Sequence, residues 1–282
     1  MNRQYRHPVS ARFAMIAACY FMLGTFTHAT PLYQQQVESA KVTDKALQKA
    51  RKQIDEHVDI KLQDKLALAP FHKRDKQIEM AKQPICMNCH LPLPHRKNER
   101  SRSFMNMHSR YIACETCHLR PDDVQFSYQW LAYDGPLAGT TVPPRNGDQV
   151  KQDKTDKAAD KPTDKPVKMP LPPYKNARIA PFLNAEWVIS FKDSDFAKQI
   201  ARDWKEANDE QRARLKVRIH APLKEEGPAC QACHGKEKPM LDLSELGATS
   251  RQKLAIQRNT VVRFFERYKK DDERIRISNI LK

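Results

Sequence analysis

The sequence predicts a mostly α-helical protein with extensive irregular loops. Several segments place apolar residues at helical spacing, as Phe196, Ile200 and Trp204 do. The 282-residue chain also contains 19 prolines, which interrupt regular helices, against 7 glycines. Only 40% of the residues are hydrophobic and 30% are charged, which is less apolar content than an ordinary globular domain has. We therefore expect additional apolar groups to complete the core.

The pattern C-x-x-C-H occurs three times, at residues 86–90, 114–118 and 230–234. This pattern is the attachment signature of a c-type haem. Two thiols on one tight turn reach two vinyl groups of a single porphyrin and bond to them, and the histidine binds the iron as the proximal axial ligand. The predicted attachment residues are Cys86, Cys89, Cys114, Cys117, Cys230 and Cys233, and the predicted proximal iron ligands are His90, His118 and His234.

A zinc site and a redox dithiol are the alternative uses of a C-x-x-C pair. Six of the seven cysteines lie in the three motifs, and only Cys19 lies elsewhere. No motif carries the helical H-x3-5-H partner of a zinc finger, and no βαβ pattern surrounds a motif. The repetition therefore favours three covalent haem c groups over zinc or dithiol chemistry.

These motif residues, together with the other histidines of the chain, resemble the periplasmic multihaem c-type cytochromes. The resemblance implies a core built around covalently bound haems and an irregular backbone wrapped around them. It also implies export, because bacterial haem c is attached outside the cytoplasm. Without haem, we expect the chain to be largely unfolded.

The second axial ligand of each iron determines what that haem can do. Outside the motifs and the leader, the candidate histidines are His57, His72, His95, His108 and His220. His108 and His220 each lie a short way upstream of the next motif, which resembles the distal-ligand placement in many multihaem cytochromes. His95 is too close to His90 to ligate the same iron, but it can reach the second haem. His72 is the other candidate, and we expect His57 at the surface.

Methionine is a competing ligand. Met240 lies six residues after His234 and stays open as a ligand of the third haem. Met105 and Met107 flank His108 and are expected to serve as apolar packing.

Enough histidines are present to complete three six-coordinate haems, which favours electron transfer over catalysis. We therefore expect a soluble electron carrier or an electron-transfer subunit of a respiratory oxidoreductase. A haem enzyme or sensor with one open iron is the alternative, although no distinctive catalytic group stands near the motifs. A docking protein whose haems only connect its partners is a further alternative.

Residues 1–29 predict a secretory signal peptide that directs the chain to the periplasm. Three arginines precede an apolar stretch at residues 13–26, and Thr27-His28-Ala29 offers small residues for cleavage after Ala29. The stretch is shorter than the roughly 20 residues that span a membrane. A lipoprotein box ending at Cys19 is the less favoured alternative. We expect the mature chain not to be an integral membrane protein.

The formal net charge of +16 makes the protein strongly basic. A basic surface favours nucleic acid, anionic membrane or acidic proteins. Export excludes nucleic acid, so we expect redox partner proteins that are acidic, or membrane-bound quinol-linked donors.

The chain is predicted to form two haem-bearing units. Residues 30–143 form a dihaem unit with a leading amphipathic helix, and residues 174–282 form a helical monohaem unit. Between them, residues 144–173 are rich in Lys, Asp and Pro, which predicts a disordered linker. The predicted elements are a helix within residues 30–70 that is broken at most once, an extended segment at 126–131, a short strand at 187–191, and three helices: one beginning at Asp193 or Ser194, one ending near His220 and one beginning at Thr249 or Ser250.

Overall fold

Short helices surround a four-stranded sheet in the computed structural model of the chain. The structure describes residues 30–57, 80–91, 93–95, 104–144, 176–184, 186–237, 239–259 and 262. Its helices are α1 (Leu32–Glu38), α2 (Asp44–Asp55), α3 (Asn106–His108), α4 (Cys114–His118), α5 (Asp195–Glu206), α6 (Asp209–His220), α7 (Cys230–His234) and α8 (Ser250–Gln257), with a 3-10 helix at Ile85–Asn88. Its strands are β1 (Ser127–Leu131), β2 (Thr141–Val142), β3 (Arg178–Leu183) and β4 (Glu186–Trp187).

The sheet is antiparallel, with strand order β2-β1-β3-β4. Its long central pair places Trp130 of β1 opposite Ile179 of β3. The Trp130 indole N–H donates to the Leu246 carbonyl at 3.0 Å, so the sheet also holds the segment after the third motif. The predicted extended segment at 126–131 is thus confirmed as β1, whereas the sheet as a whole was not among the predicted elements.

Strands β1 and β3 come from opposite sides of the predicted linker. Because they pair along their whole length, residues before and after 144–173 share one sheet, and Pro31–Lys282 forms one compact unit. This differs from the two separate haem-bearing units that the sequence suggested. A sequence cannot show that two distant segments pair, since their hydrogen bonds are made between backbones. Residues 145–173 of the predicted linker lie outside the described residues, so the linker stays a prediction.

Polar side chains cap three of these helices, and the caps at Ser194 and Thr249 are as expected. Ser194 caps α5, and its side chain accepts from the Ala197 N–H at 3.2 Å. Asn208 begins α6 with a capping box to Gln211, and α6 ends at His220. A second capping box, at Thr249, begins α8. The predictions for these three helices are therefore confirmed. The strand predicted at 187–191 is observed only as the shorter β4, which extends from Glu186 to Trp187.

The N-terminal helices support α6. The amphipathic segment is broken at residues 39–43 into α1 and α2. Helix α2 buries Leu47 and Ala50 against Ala213 and Val217 of α6. In α1, the buried Tyr33 hydroxyl donates to the carbonyl of Ile219, next to His220, at 2.8 Å. Both contacts fix the C-terminal end of α6, which carries His220.

The largest buried cluster lies between the first two motifs and the sheet. It contains Leu119, Leu131 and Tyr133, each fully buried, together with Val188 and Ile189. None of the helices in the described part of the chain is long and apolar enough to cross a membrane. The predicted signal peptide, at residues 1–29, lies outside the described residues.

Replacing Leu131 by alanine should destabilise the haem-loaded protein by about 2–5 kcal/mol, because it opens a cavity in this cluster. Leu137→Ala is a matched control, since Leu137 is 40% exposed and its loss should change the free energy of unfolding by less than about 0.5 kcal/mol. Denaturant unfolding measures both. Equal effects of the two variants would contradict the assignment of the core.

Candidate haem-binding sites

The first motif is held against the residues that follow β4. Its 3-10 helix begins where the Ile85 N–H donates to the Ser190 carbonyl at 2.9 Å. The Asn88 side-chain amide donates to the Ala197 carbonyl of α5 at 3.2 Å. These contacts leave Cys86 half-buried and Cys89 exposed.

The second motif forms helix α4, which is docked on the start of β3. The Ala113 N–H and the Thr116 hydroxyl both donate to the Ile179 carbonyl, each at 2.9 Å. Leu119, directly after the motif, is fully buried and makes a β-bridge with Leu223. The second motif is therefore attached both to the sheet and to the segment that follows α6.

The third motif forms helix α7, which packs beside α8. The Met240 N–H donates to the Ala232 carbonyl at 2.6 Å and folds the following segment back onto the motif. Gly235 ends α7, and a Cβ atom at this position would lie 2.4 Å from the Gln231 carbonyl oxygen. A glycine is therefore required for the chain to leave this motif as it does.

Each motif histidine lies opposite one other histidine of the chain. The separations between the ring centroids are 6.1, 6.3 and 6.1 Å, and the angles between the ring planes are 71°, 17° and 80°. In this order, the pairs are His90 with His220, His118 with His95, and His234 with His108. The structure thus brings three of the candidate histidines to the three motifs, one to each.

Hydrogen bonds orient five of these six rings through the same nitrogen. Backbone carbonyls lie 2.7–2.9 Å from the Nδ1 atoms of four histidines, and an amide oxygen lies 3.1 Å from the fifth. The acceptors are Asn106 Oδ1 for His95, Phe104 O for His108, Lys224 O for His118, Lys216 O for His220 and Ile256 O for His234. An Nδ1–H that donates to an oxygen leaves Nε2 free to bind a metal.

Two of the opposed histidines are neutral imidazoles at neutral pH. Burial lowers the pKa of His95, and desolvation by the surrounding protein also lowers the pKa of His220. Neutral imidazole is the form that binds metal ions.

The remaining candidates have different places. His72 lies outside the described residues, so its role stays a prediction. His57 is exposed, as expected. Met240 packs with Cys233 against the apolar cluster around Trp130, whereas Met105 and Met107 are exposed beside His108.

The second cysteine of each motif has a raised thiol pKa, whereas a hydrogen bond from Cys86 lowers the pKa of Cys114. Burial raises the pKa of Cys117 to about 11 and that of Cys233 to about 12. The pKa of Cys89 is also raised by burial. Reactive dithiols depend on a lowered thiol pKa. The repetition of the C-x-x-C-H pattern, and not the thiol pKa values, therefore favours attachment over redox exchange.

Thiols of different motifs approach one another. The Sγ atoms of Cys86 and Cys114 and a carboxylate oxygen of Glu115 all lie within 4.8 Å of one another. Glu115 occupies one of the two middle positions of the second motif, and nothing in the sequence indicates that it is buried. The sequence likewise does not indicate that Asn106 orients His95, because an amide that orients a histidine has no characteristic spacing.

Residues 33–119 match the model of the family described as cytochrome c554 and c-prime. The matched region contains the first two motifs and ends before the third. The match supports a c-type cytochrome, with covalently bound haem c and its iron as the cofactor and electron transfer as the general activity. A search of curated proteins and a search of solved structures each gave no significant match.

Gly235→Ala should weaken the third motif, because the added methyl group meets a backbone oxygen that cannot move alone. We expect a loss of about 1–3 kcal/mol in the free energy of unfolding. Gly227→Ala is the control, since its Cβ would lie at an ordinary contact distance of 3.9 Å from the Cys117 Cβ. A Gly235→Ala protein as stable as the control would contradict the close approach of residue 235 to the Gln231 carbonyl oxygen at the end of α7.

Proposed function

We propose that this protein is an exported triheme c-type cytochrome that carries electrons through three haems, each with two histidine ligands. The observation that carries the proposal is the set of three opposed histidine pairs. Each pair joins one motif histidine to one histidine from elsewhere in the chain.

The dimensions of the pairs fit a single metal ion between each two rings. An ion about 2 Å from one nitrogen of each ring separates the two ring centroids by roughly 6 Å. The three measured separations of 6.1–6.3 Å agree with this value. Two rings that share a metal–nitrogen axis can be rotated about it to any relative angle, so the different interplanar angles are all compatible with ligation.

The orientation of the rings supports the same assignment. A metal-binding histidine usually donates its other ring N–H to a carbonyl or carboxylate, which fixes the tautomer and the direction of the ring. Five of the six rings have such an acceptor at Nδ1. We infer that Nε2 of these rings is the iron ligand.

Ligation on both faces determines the activity. When bound, each haem c supplies one-electron exchange at its iron. Each motif histidine and its opposed histidine would hold the iron between them, an arrangement that favours electron transfer over catalysis. Each of the three motif histidines has an opposed histidine, so no observation favours the haem enzyme or sensor.

The first two haems are neighbours in this proposal. The Sγ atoms of Cys86 and Cys114 lie within 4.8 Å of each other, so these two residues would hold their haems side by side. The second motif also lies beside the third, because a Cβ at Gly227, three residues before Cys230, would lie 3.9 Å from the Cys117 Cβ. The chain thus favours transfer of electrons in the order of the motifs, with the second haem in the middle.

The compartment and the partners that we propose for this carrier follow from its predicted signal peptide and its net charge. The predicted signal peptide directs the chain to the periplasm. A formal net charge of +16 favours acidic redox partners or membrane-bound quinol-linked donors over nucleic acid. We propose that the protein serves as a soluble carrier or as the electron-transfer subunit of a respiratory oxidoreductase.

Replacing His220 by alanine should convert one of three low-spin haems into a five-coordinate, high-spin haem. The reason is that His220 is the ring opposite His90. Electron paramagnetic resonance of the oxidised protein, with haem content quantified in the same sample, measures this change. His57→Ala is the matched control, because His57 is exposed and should leave all three haems low-spin.

His95→Ala and His108→Ala should each give the same result at a different haem. A His220→Ala protein whose three haems all remain low-spin would contradict the pairing with His90. An oxidised wild-type protein with one high-spin haem would contradict the closed axial positions and favour the enzyme or sensor.

A further inference from the structure

Glu115 is a buried acid beside the attachment residues of two haems. Its side chain is 1% exposed. Oε1 accepts a weak hydrogen bond from the Cys86 thiol at 3.7 Å, and Oε2 is buried without a hydrogen-bond partner. A buried carboxylate usually requires donors or a nearby cation, so its isolation calls for an explanation.

Attachment of haem removes the one side-chain donor of Glu115, whose other donor is its own backbone N–H. A thioether bond at Cys86 replaces the thiol proton, so Oε1 then accepts nothing from this sulfur. A protonated Glu115, by contrast, can donate its O–H to the thioether, which is a weak acceptor. Haem attachment therefore favours the protonated acid at this position.

The groups that face Glu115 come from four other segments. They are Tyr33 of α1, Cys86 of the 3-10 helix, Tyr133 after β1 and Arg178 of β3, with Cys114 next to it on α4. Only Arg178 carries a positive charge. It is 8% exposed, its guanidinium lies 5.3 Å from the centre of the Tyr133 ring, and its Nη2 donates to Met80 Sδ at 3.8 Å. No ion pair joins it to Glu115, so it attracts the carboxylate only from a distance.

Glu115 is the group of this cluster that can change its protonation. Burial raises its pKa above the usual glutamate range, and its own backbone N–H, the Cys86 thiol and Arg178 offset only part of this effect. Burial also raises the pKa of Tyr33 and of Tyr133, so both phenols stay neutral. Cys86 and Cys114 have no proton to lose once they are thioethers.

We propose that Glu115 takes up a proton when the haems of the first two motifs are reduced, so that this pair carries a proton together with an electron. The inference rests on the proposed function. The electron comes from the donor protein and converts ferric iron to ferrous iron. The proton comes from solvent and forms the O–H bond of the carboxyl group, and no bond breaks.

The sign of the effect follows from electrostatics. Reduction adds one negative charge next to a buried carboxylate, where charges interact more strongly than in water. The reduced protein therefore binds the proton more tightly than the oxidised protein does. Raising the pH then favours the oxidised form, and the reduction potentials of these two haems fall as the pH rises above the usual glutamate range.

Redox titration of the haem-loaded protein over a series of pH values tests the proposal. In the wild-type protein, two of the three potentials should fall with rising pH. Glu115→Gln keeps the shape of the side chain but cannot ionise, so the slope of both potentials should disappear. Glu245→Gln, on an exposed loop, is the matched control and should keep the wild-type slopes.

Unchanged slopes in Glu115→Gln would overturn the proposal and assign the proton to other groups, such as haem propionates. Potentials of the wild-type protein that do not depend on pH would also overturn it. Electron paramagnetic resonance of the same samples separates this failure from failure of the proposed function, because three low-spin haems would leave the electron carrier intact.

Redox difference infrared spectroscopy keeps the proposal testable if Glu115→Gln does not mature. The wild-type protein should show the band of a protonated carboxyl group on reduction, with a small shift in heavy water. A reduced protein without such a band would contradict proton uptake by Glu115.

Discussion

The approach of each motif histidine to one histidine from another segment is the constraint on which the rest of the structure depends. An axial ligand must reach the iron along one direction, so the backbone that carries it has little freedom. In two of the pairs, His90 with His220 and His234 with His108, the partners lie far apart in sequence. The fold must therefore hold distant segments in register, and in the proposed function the haems would cross-link those segments.

The helices and strands hold in place the segments that carry the paired histidines. Helix α6 places His220, and α1 and α2 hold its C-terminal end through Tyr33 and through Leu47. Strand β3 holds the second motif through the Ile179 carbonyl.

The sequence predicts the chemistry of this protein better than its architecture. The motifs predict the attachment residues by spacing alone, and Ser194 and Thr249 mark helix starts because capping is a local interaction. The sheet was not predicted, since β1 and β3 find each other across a long insertion and their pairing depends on backbone groups that every residue has.

The same distinction applies within the candidate sites. His108 and His220 could be singled out because each lies just upstream of a motif. Which motif each one faces depends on tertiary structure, and both face a motif other than the one they precede. Glu115 carried no signal at all, because the two middle positions of C-x-x-C-H accept many residue types and only the fold shows that this one is buried.

A crystal structure of the haem-loaded protein, with the irons located by their anomalous scattering, tests the central claim most directly. The account predicts three irons, each midway between the two rings of one pair: His90 with His220, His118 with His95, and His234 with His108. An iron bound by a methionine, by water or by a histidine of another pair would contradict it.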